Sequence, residues 1–239
     1  MPNGLSHNHV SAGGINAAQS GAFPEVNDAD PATLSWLVRP KAARAVKRVI
    51  DVAVAIILAP FVLVTLAVIG LLIKLEDQGP VIYRRRVVGP KGDFGALKLR
   101  SMRVDADKIL ERDAALRAKF EDTYKIKDDP RVTKIGRPLR RSSLDELPQL
   151  WNVLRGQMSL VGPRMIVRSE LEKFGPYAVI FDFVKPGMTG HWQVSGRQEV
   201  SYAERVKMDV YYLQHWSLWF DVKILFKTAW KVFKQDGAY

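Results

Sequence analysis

Between Asp129 and Arg164 the chain concentrates the residue types that handle phosphate. Arg131, Lys134, Arg137, Arg140 and Arg141 place five positive charges in eleven residues with no acid among them, and Asp145 and Glu146 follow directly. Adjacent acids at a helix start point about 100° apart around its axis. One carboxylate can then attack a phosphorus while its neighbour holds a metal ion that neutralises the same phosphate. Magnesium (Mg2+) bound by one or two carboxylates plus substrate phosphates is the usual arrangement in phosphoryl chemistry. The basic residues Lys98, Arg100, Arg137, Arg140, Arg141 and Arg164 are the candidates to clamp a diphosphate. Among them Arg100, Arg141 and Arg164 are expected to be the sensitive ones.

A structural role for the acids is also available, because Ser143-x-x-Glu146 has the form of a capping box. Pro148 argues against it and for a helix starting near Leu147. In either case the two carboxylates are expected at a helix N-terminus beside a basic cluster, and both features favour the ionised form. An ionised carboxylate serves as nucleophile or metal ligand and is a poor general acid. The chain has no cysteine, which excludes disulfides, thiolate metal sites and cysteine nucleophiles, and His7, His9, His191 and His215 form no ligand pair. Net charge is +11 over 239 residues, yet residues 1–40 hold a single basic residue, Arg39, against three acids. The rest of the chain therefore seeks anions: phosphorylated small molecules, an anionic membrane or nucleic acid.

The elements that must carry these residues are partly legible. Residues 1–35 are rich in Gly, Ala, Asn, Ser and Pro and are expected to be a disordered tail without the features of a signal peptide. Val52–Ile73 carries no charge and as straight helix would reach roughly 33 Å, enough for a membrane span. Pro60 near its middle and basic clusters on both flanks, Lys41 to Arg48 before and Arg84 to Arg86 after, also allow a helix broken at Ala59-Pro60 that enters and leaves on one side. Residues 79–103 look like short strands joined by Gly/Pro turns, and 105–121 like a one-sided surface helix. Over 201–235 aromatic residues alternate with lysines at helical intervals, which fits a helix at the lipid headgroup level or an aromatic core helix. Basic character with interleaved aromatics also occurs in single-strand nucleic-acid binders, but the uncharged stretch and the lack of any known nucleic-acid motif count against that class.

The string LRRSSLDELPQLWNVLRGQMSLVGPR, together with KLRSM at 98–102, PGMTGHWQVSGR at 186–197 and the ending GAY, resembles the bacterial sugar transferase family of monotopic polyprenyl-phosphate phosphoglycosyl transferases. The similarity covers roughly residues 44–239 and is to the small members. It implies transfer of hexose 1-phosphate from a UDP-hexose to undecaprenyl phosphate at the cytoplasmic face of the bacterial inner membrane, as the first membrane step of exopolysaccharide synthesis. Asp145 takes the place of the family's nucleophile and Glu146 that of the residue implicated in magnesium binding. The resemblance favours the re-entrant helix at Ala59-Pro60, and a homodimer supported by a lipid-facing aromatic surface is possible. The expected fold is α+β: a tail (1–40), a proline-broken re-entrant membrane helix (41–75), and a mainly helical cytoplasmic domain with short strands and amphipathic interfacial helices (76–239). In the frame of the family's Gln-x-Arg-x-Gly pattern, which Gly89 keeps, the chain has Arg85 for the Gln and Val87 for the Arg, and it has Met165 for a proline. An inactive scaffold of the same family is the alternative function.

Overall fold

A 36-residue helix, α1 (Lys41–Glu76), opens the computed structural model, which describes residues 40–123, 126, 128–195 and 200–234. The tail 1–39 and the ending 237–239 lie outside the described residues. Among the described residues α1 is the one helix long and apolar enough to cross a membrane. Asp51, Ala55, Val62, Ile69 and Ile73 are buried at intervals of four and seven, which return to one face of a helix. The other side exposes Ile57, Phe61, Val64, Val68, Leu71 and Leu75. Pro60 stands inside α1, and the helix runs through it where the sequence predicted a break. A proline removes one backbone donor, and the packed stripe from Ala55 to Val62 spans that defect.

Polar ties fasten both ends of α1 to the same folded body. Lys47 Nζ lies 2.5 Å from Asp221 Oδ2, and Arg48 donates to the carbonyls of Val153 (2.5 Å) and Leu154 (2.8 Å). Asp51 accepts from Ser159 Oγ at 2.8 Å and from the Leu160 amide at 3.2 Å. At the far end Glu76 accepts from the amides of Lys134 and Ile135, at 2.7 and 3.1 Å. The helix therefore lies along the domain, with its unpartnered apolar side outward.

The basic segment after α1 is an antiparallel hairpin, β1 (Ile82–Val87) with β2 (Phe94–Leu99), in which Tyr83 faces Lys98 and Val87 faces Phe94. The surface helix expected over 105–121 is two pieces, α2 (Ala106–Arg112) and α3 (Ala114–Thr123). Asp113 separates them, its carboxylate accepting the Leu116 amide at 2.9 Å and so capping the second. Then come α4 (Gly136–Ser142), a 3-10 turn (Leu144–Glu146) and α5 (Gln149–Leu154). Strand β3 (Ser159–Val161) pairs in parallel with β4 (Gly187–Thr189), and the crossover between them contains α6 (Leu171–Phe174) and α7 (Ile180–Phe183). Helices α8 (His191–Ser195), α9 (Tyr202–Gln214) and α10 (Leu218–Lys234) complete the chain. The architecture is mainly helical with short strands, an α+β arrangement.

Residues 201–235 form two helices, one packed in the core and one with an exposed aromatic side. A capping box starts α9, with Ser201 Oγ accepting the Glu204 amide and the Glu204 carboxylate accepting the Ser201 amide. This helix buries Val206, Val210, Tyr212 and Leu213 in the core with Met158, Ile180 and Phe181. By contrast α10 buries Ile224 and exposes Trp219, Val222, Phe226, Trp230 and Phe233, with Lys223 and Lys234 over the rings of Trp219 and Trp230.

Removing the Asp51 carboxylate strands the buried Leu160 amide. Asp51→Ala is expected to lower stability by about 2 kcal/mol, whereas exposed Asp107→Ala on α2 should stay within about 0.5 kcal/mol. Thermal unfolding of both variants in one detergent checks this, and equal small effects would show that the tie does not fasten α1.

Candidate active site

The acids follow a reversal of the chain at Ser143, which ends α4 in the left-handed region (φ 57°) with its amide bonded back to the Arg140 carbonyl at 3.3 Å. The 3-10 turn carries Asp145 and Glu146, and Leu147 and Pro148 lead helically into α5. Proline suits this start because it has no amide to satisfy. The capping box does not form. Ser143 makes no side-chain cap bond, and the Glu146 carboxylate instead meets Lys98 Nζ at 2.5 Å.

Asp145 is 8% exposed. Burial pushes its carboxyl up to about 6; Lys98 opposes this, Glu146 adds to it and Arg140 opposes it. The sequence predicted that the helix start and the arginines would hold both acids ionised. For Asp145 desolvation outweighs them, since one 3-10 turn and a six-residue helix supply little dipole and Arg140 is itself partly buried, its Nε bonded to Ser101 Oγ at 2.9 Å. Above about pH 6 Asp145 is nonetheless an anion.

Close backbone packing holds the pair in place. A Cβ at Gly136 would sit 2.0 Å from the Ser101 carbonyl, so only glycine lets α4 start against the end of β2. Asn152 on α5 accepts the Leu97 amide at 3.0 Å and donates to the Gly95 carbonyl at 2.9 Å, tying α5 to the strand that bears Lys98. The short run Lys98 to Ser101 thus touches the Glu146 carboxylate, the end of α1 and α4.

The six expected anion-binding residues separate. Lys98 and Arg140 stand at the acids. Arg100 is elsewhere: it is buried, donates to the Asp77 carbonyl at 2.6 Å and pairs with the Asp77 carboxylate at 3.3 Å, so it clamps the end of α1. Gly79 makes room for it, since a Cβ there would lie 1.8 Å from Nη1. Arg137 and Arg141 are exposed on α4. Arg164 follows β3, its guanidinium 5.4 Å from the ring centroid of Trp192.

Several functional candidates escaped sequence reasoning. Arg85 on β1 lies 3.5 Å from Glu170, and its charge is felt at Arg140. Glu170 is buried and accepts the Tyr202 hydroxyl at 3.2 Å; burial and then Glu170 push that hydroxyl up. Asp209 accepts the Arg164 amide at 3.1 Å, and burial pushes it up to about 7 against the hydrogen bond and charge of Arg164. The available signal was an acid set into the apolar face Val206, Val210, Leu213 of α9. Of the departures from the family pattern, Val87 and Met165 pack in the core; Gly89, which keeps the pattern, meets Phe94 in the hairpin turn, where a Cβ would come to 2.9 Å. No cluster of three or more acidic or histidine side chains that could hold a metal ion occurs among the described residues.

Folding raises the Asp145 carboxyl above its ordinary 3.8, so the native state binds the proton more tightly than the unfolded chain. This contribution is full below about pH 4 and is lost as pH rises to about 6. In metal-free detergent Asp145→Asn should therefore be more stable than the native chain at pH 8, by up to about 3 kcal/mol, and no more stable at pH 4. Thermal unfolding at both values checks this; a destabilised variant at pH 8 contradicts it.

The family described as bacterial sugar transferase matches residues 42–235. The chain is 46% identical over 202 residues to a UDP-galactose-lipid carrier transferase of Erwinia amylovora, covering 82% of this chain and 42% of that protein. It is 43% identical over 211 residues to the exopolysaccharide production protein ExoY of Rhizobium meliloti, covering 84% and 91%. It is 40% identical over 205 residues to a UDP-glucose:undecaprenyl-phosphate glucose-1-phosphate transferase of Escherichia coli, covering 82% and 42%. The chain spans less than half the length of the first and third of these and nearly all of the second. A match that runs from the start of α1 to the end of α10 and takes in the acid pair places this chain in the bacterial sugar transferase family.

Proposed function

We propose that this chain transfers hexose 1-phosphate from a UDP-hexose, glucose or galactose, to undecaprenyl phosphate at the cytoplasmic face of the bacterial inner membrane. The observation that carries the proposal is the Asp145 carboxylate, buried beside Glu146 and Lys98 in a chain matched by the family over residues 42–235. In the first step an Asp145 oxygen attacks the β-phosphorus of the UDP-hexose. The bond from that phosphorus to the bridging oxygen breaks, and UMP leaves with the electron pair. In the second step an oxygen of the lipid phosphate attacks the same phosphorus and the Asp145 carboxylate is released. The bond between sugar and phosphate survives both steps, and the product is a lipid diphosphate sugar.

Burial of Asp145 leaves its oxygens poorly solvated, which favours attack, and Lys98 and Arg140 are placed to meet charge that develops on the phosphate. Magnesium fits the residues present. The Glu146 carboxylate already faces a cation, the Lys98 ammonium, and Gln149 one turn on is fully buried with both amide atoms unpartnered among the described residues. Glu146 would hold the ion, which supplies charge neutralisation for the diphosphate. Lys98 Nζ, beside that carboxylate, would then be free to meet the phosphate.

The same proposal seats α1 in one leaflet, entering and leaving the membrane on the cytoplasmic side as a helix continuous through Pro60. Both its ends are bound to one domain, its outward side is apolar, and its flanks are basic. Because the chain lacks cysteine, single cysteines at exposed Lys41 and Lys108 can be labelled separately in sealed inverted vesicles. Both should react from the same side, and opposite sides would sink the topology.

For the chemistry, enzyme with UDP-hexose and no acceptor should release UMP in a burst no larger than the enzyme concentration, since each molecule loads one sugar phosphate. Glu146→Gln should slow both half-reactions and raise the magnesium requirement. Continuous UMP release only when both substrates are present, with no burst, would point to direct transfer and refute the two-step route.

A further inference from the structure

Arg164 and Arg205 are gathered on one indole. Their guanidinium carbons lie 5.4 and 5.2 Å from the ring centroid of Trp192. Burial, and after it the charge of Arg164, press the Arg205 guanidinium down from its ordinary value. Neither guanidinium has a carboxylate within ion-pair distance among the described residues. Of the acids nearby, Glu170 is engaged by Arg85 and Tyr202, and Asp209 is fully buried on the Arg164 amide. Trp192 is 6% exposed and its indole N–H has no acceptor among the described residues. Arg205 is tethered by its Nε to the Val200 carbonyl at 3.1 Å.

The three residues come from three elements held rigidly together. Arg164 sits on the turn after β3, where the Gly162 amide donates to the Thr189 carbonyl at 3.0 Å and the Gly187 amide to the Pro163 carbonyl at 2.9 Å. A Cβ at Gly187 would lie 2.2 Å from the Gly162 nitrogen, so this backbone contact is as close as it can be. Trp192 follows β4 on α8, and Arg205 is on α9. Two neighbouring cations repel, and an aromatic face compensates only part of that cost. An anion with several oxygens compensates the rest, because flat guanidinium edges match phosphate with two donors each.

We propose that Arg164, Trp192 and Arg205 bind the phosphate monoester of the lipid acceptor, an assignment that rests on the two-step function above. Position favours the acceptor over the nucleotide. The β4–α8 segment packs on α10, with Thr189 Oγ1 2.8 Å from Thr228 Oγ1 and the His191 ring 5.2 Å from that of Phe220. α10 is the helix with the exposed aromatic side. The charges of Tyr202 and Glu170 are felt at Arg205, Glu170 is bonded to Tyr202 and to Arg85, and the charge of Arg85 is felt at Arg140 beside the acid pair. The site thus lies between an apolar surface suited to a lipid tail and the carboxylate that carries the sugar phosphate, while Lys98 and Arg140 serve the donor.

The test uses the full chain in detergent with UDP-hexose and a polyprenyl phosphate. Arg205→Gln should raise KM for the polyprenyl phosphate by about tenfold or more, the loss expected for a charged hydrogen bond, and shift KM for UDP-hexose by less than about twofold. The UMP burst measured without acceptor reports that the variant is folded and loads sugar phosphate. Arg205→Lys keeps the charge and loses the flat edge, so its acceptor KM should rise by only about threefold, and the same split can be read from it if the glutamine variant does not fold. A rise confined to the UDP-hexose KM, or no change in either, overturns the acceptor site. Absence of a burst in the native chain is a different failure, since it removes the two-step function before Arg205 is considered.

Discussion

Two adjacent carboxylates cannot both be withdrawn from water as anions without a cation against them, and Lys98 is that cation. Its ammonium meets Glu146, and its charge opposes the upward push that burial exerts on Asp145. The result is a carboxylate that is buried, poorly solvated and still ionised near neutral pH. Burial of this kind costs stability, as catalytic sites commonly do. Everything around the pair keeps that arrangement from relaxing.

Three pieces of backbone do most of that holding. The left-handed turn at Ser143 lets the acids begin a new helical segment at an angle to α4, and Gly136 lets α4 start in contact with the end of β2. Asn152 binds the following helix to the edge of the same strand. The hairpin is in turn fixed to α1 through Arg100 and Asp77. Lys98, which meets the Glu146 carboxylate, and Arg100, which anchors the apolar helix, are two positions apart at one strand end, so disturbance of α1 reaches the acid pair through very little chain.

Much of this was legible in the sequence, and the rest was hidden for physical reasons. Composition and order marked the acid pair, the basic run before it, the apolar helix and the hairpin, because these depend on local residue types. Which cations face the acids depends on tertiary packing, so Arg100 could not be told from Lys98 by charge alone. The expectation that both acids are readily ionised failed for Asp145 because desolvation is set by what covers a group. The continuous helix through Pro60 reflects packing on both sides of the proline that no window of sequence reveals. Asp209, Glu170 and Trp192 were missed because a buried acid or indole reads as an interruption of an apolar face until its partners are known.

The claim at the centre of this account is that the buried Asp145 oxygen forms a bond to phosphorus. Peptide mapping by mass spectrometry of enzyme quenched after exposure to UDP-hexose and magnesium, before any lipid acceptor is added, tests it most directly. The account predicts a hexose-phosphate adduct on Asp145 that disappears when polyprenyl phosphate is supplied. An adduct on another residue, or an unmodified Asp145 in a preparation that turns over, would contradict it.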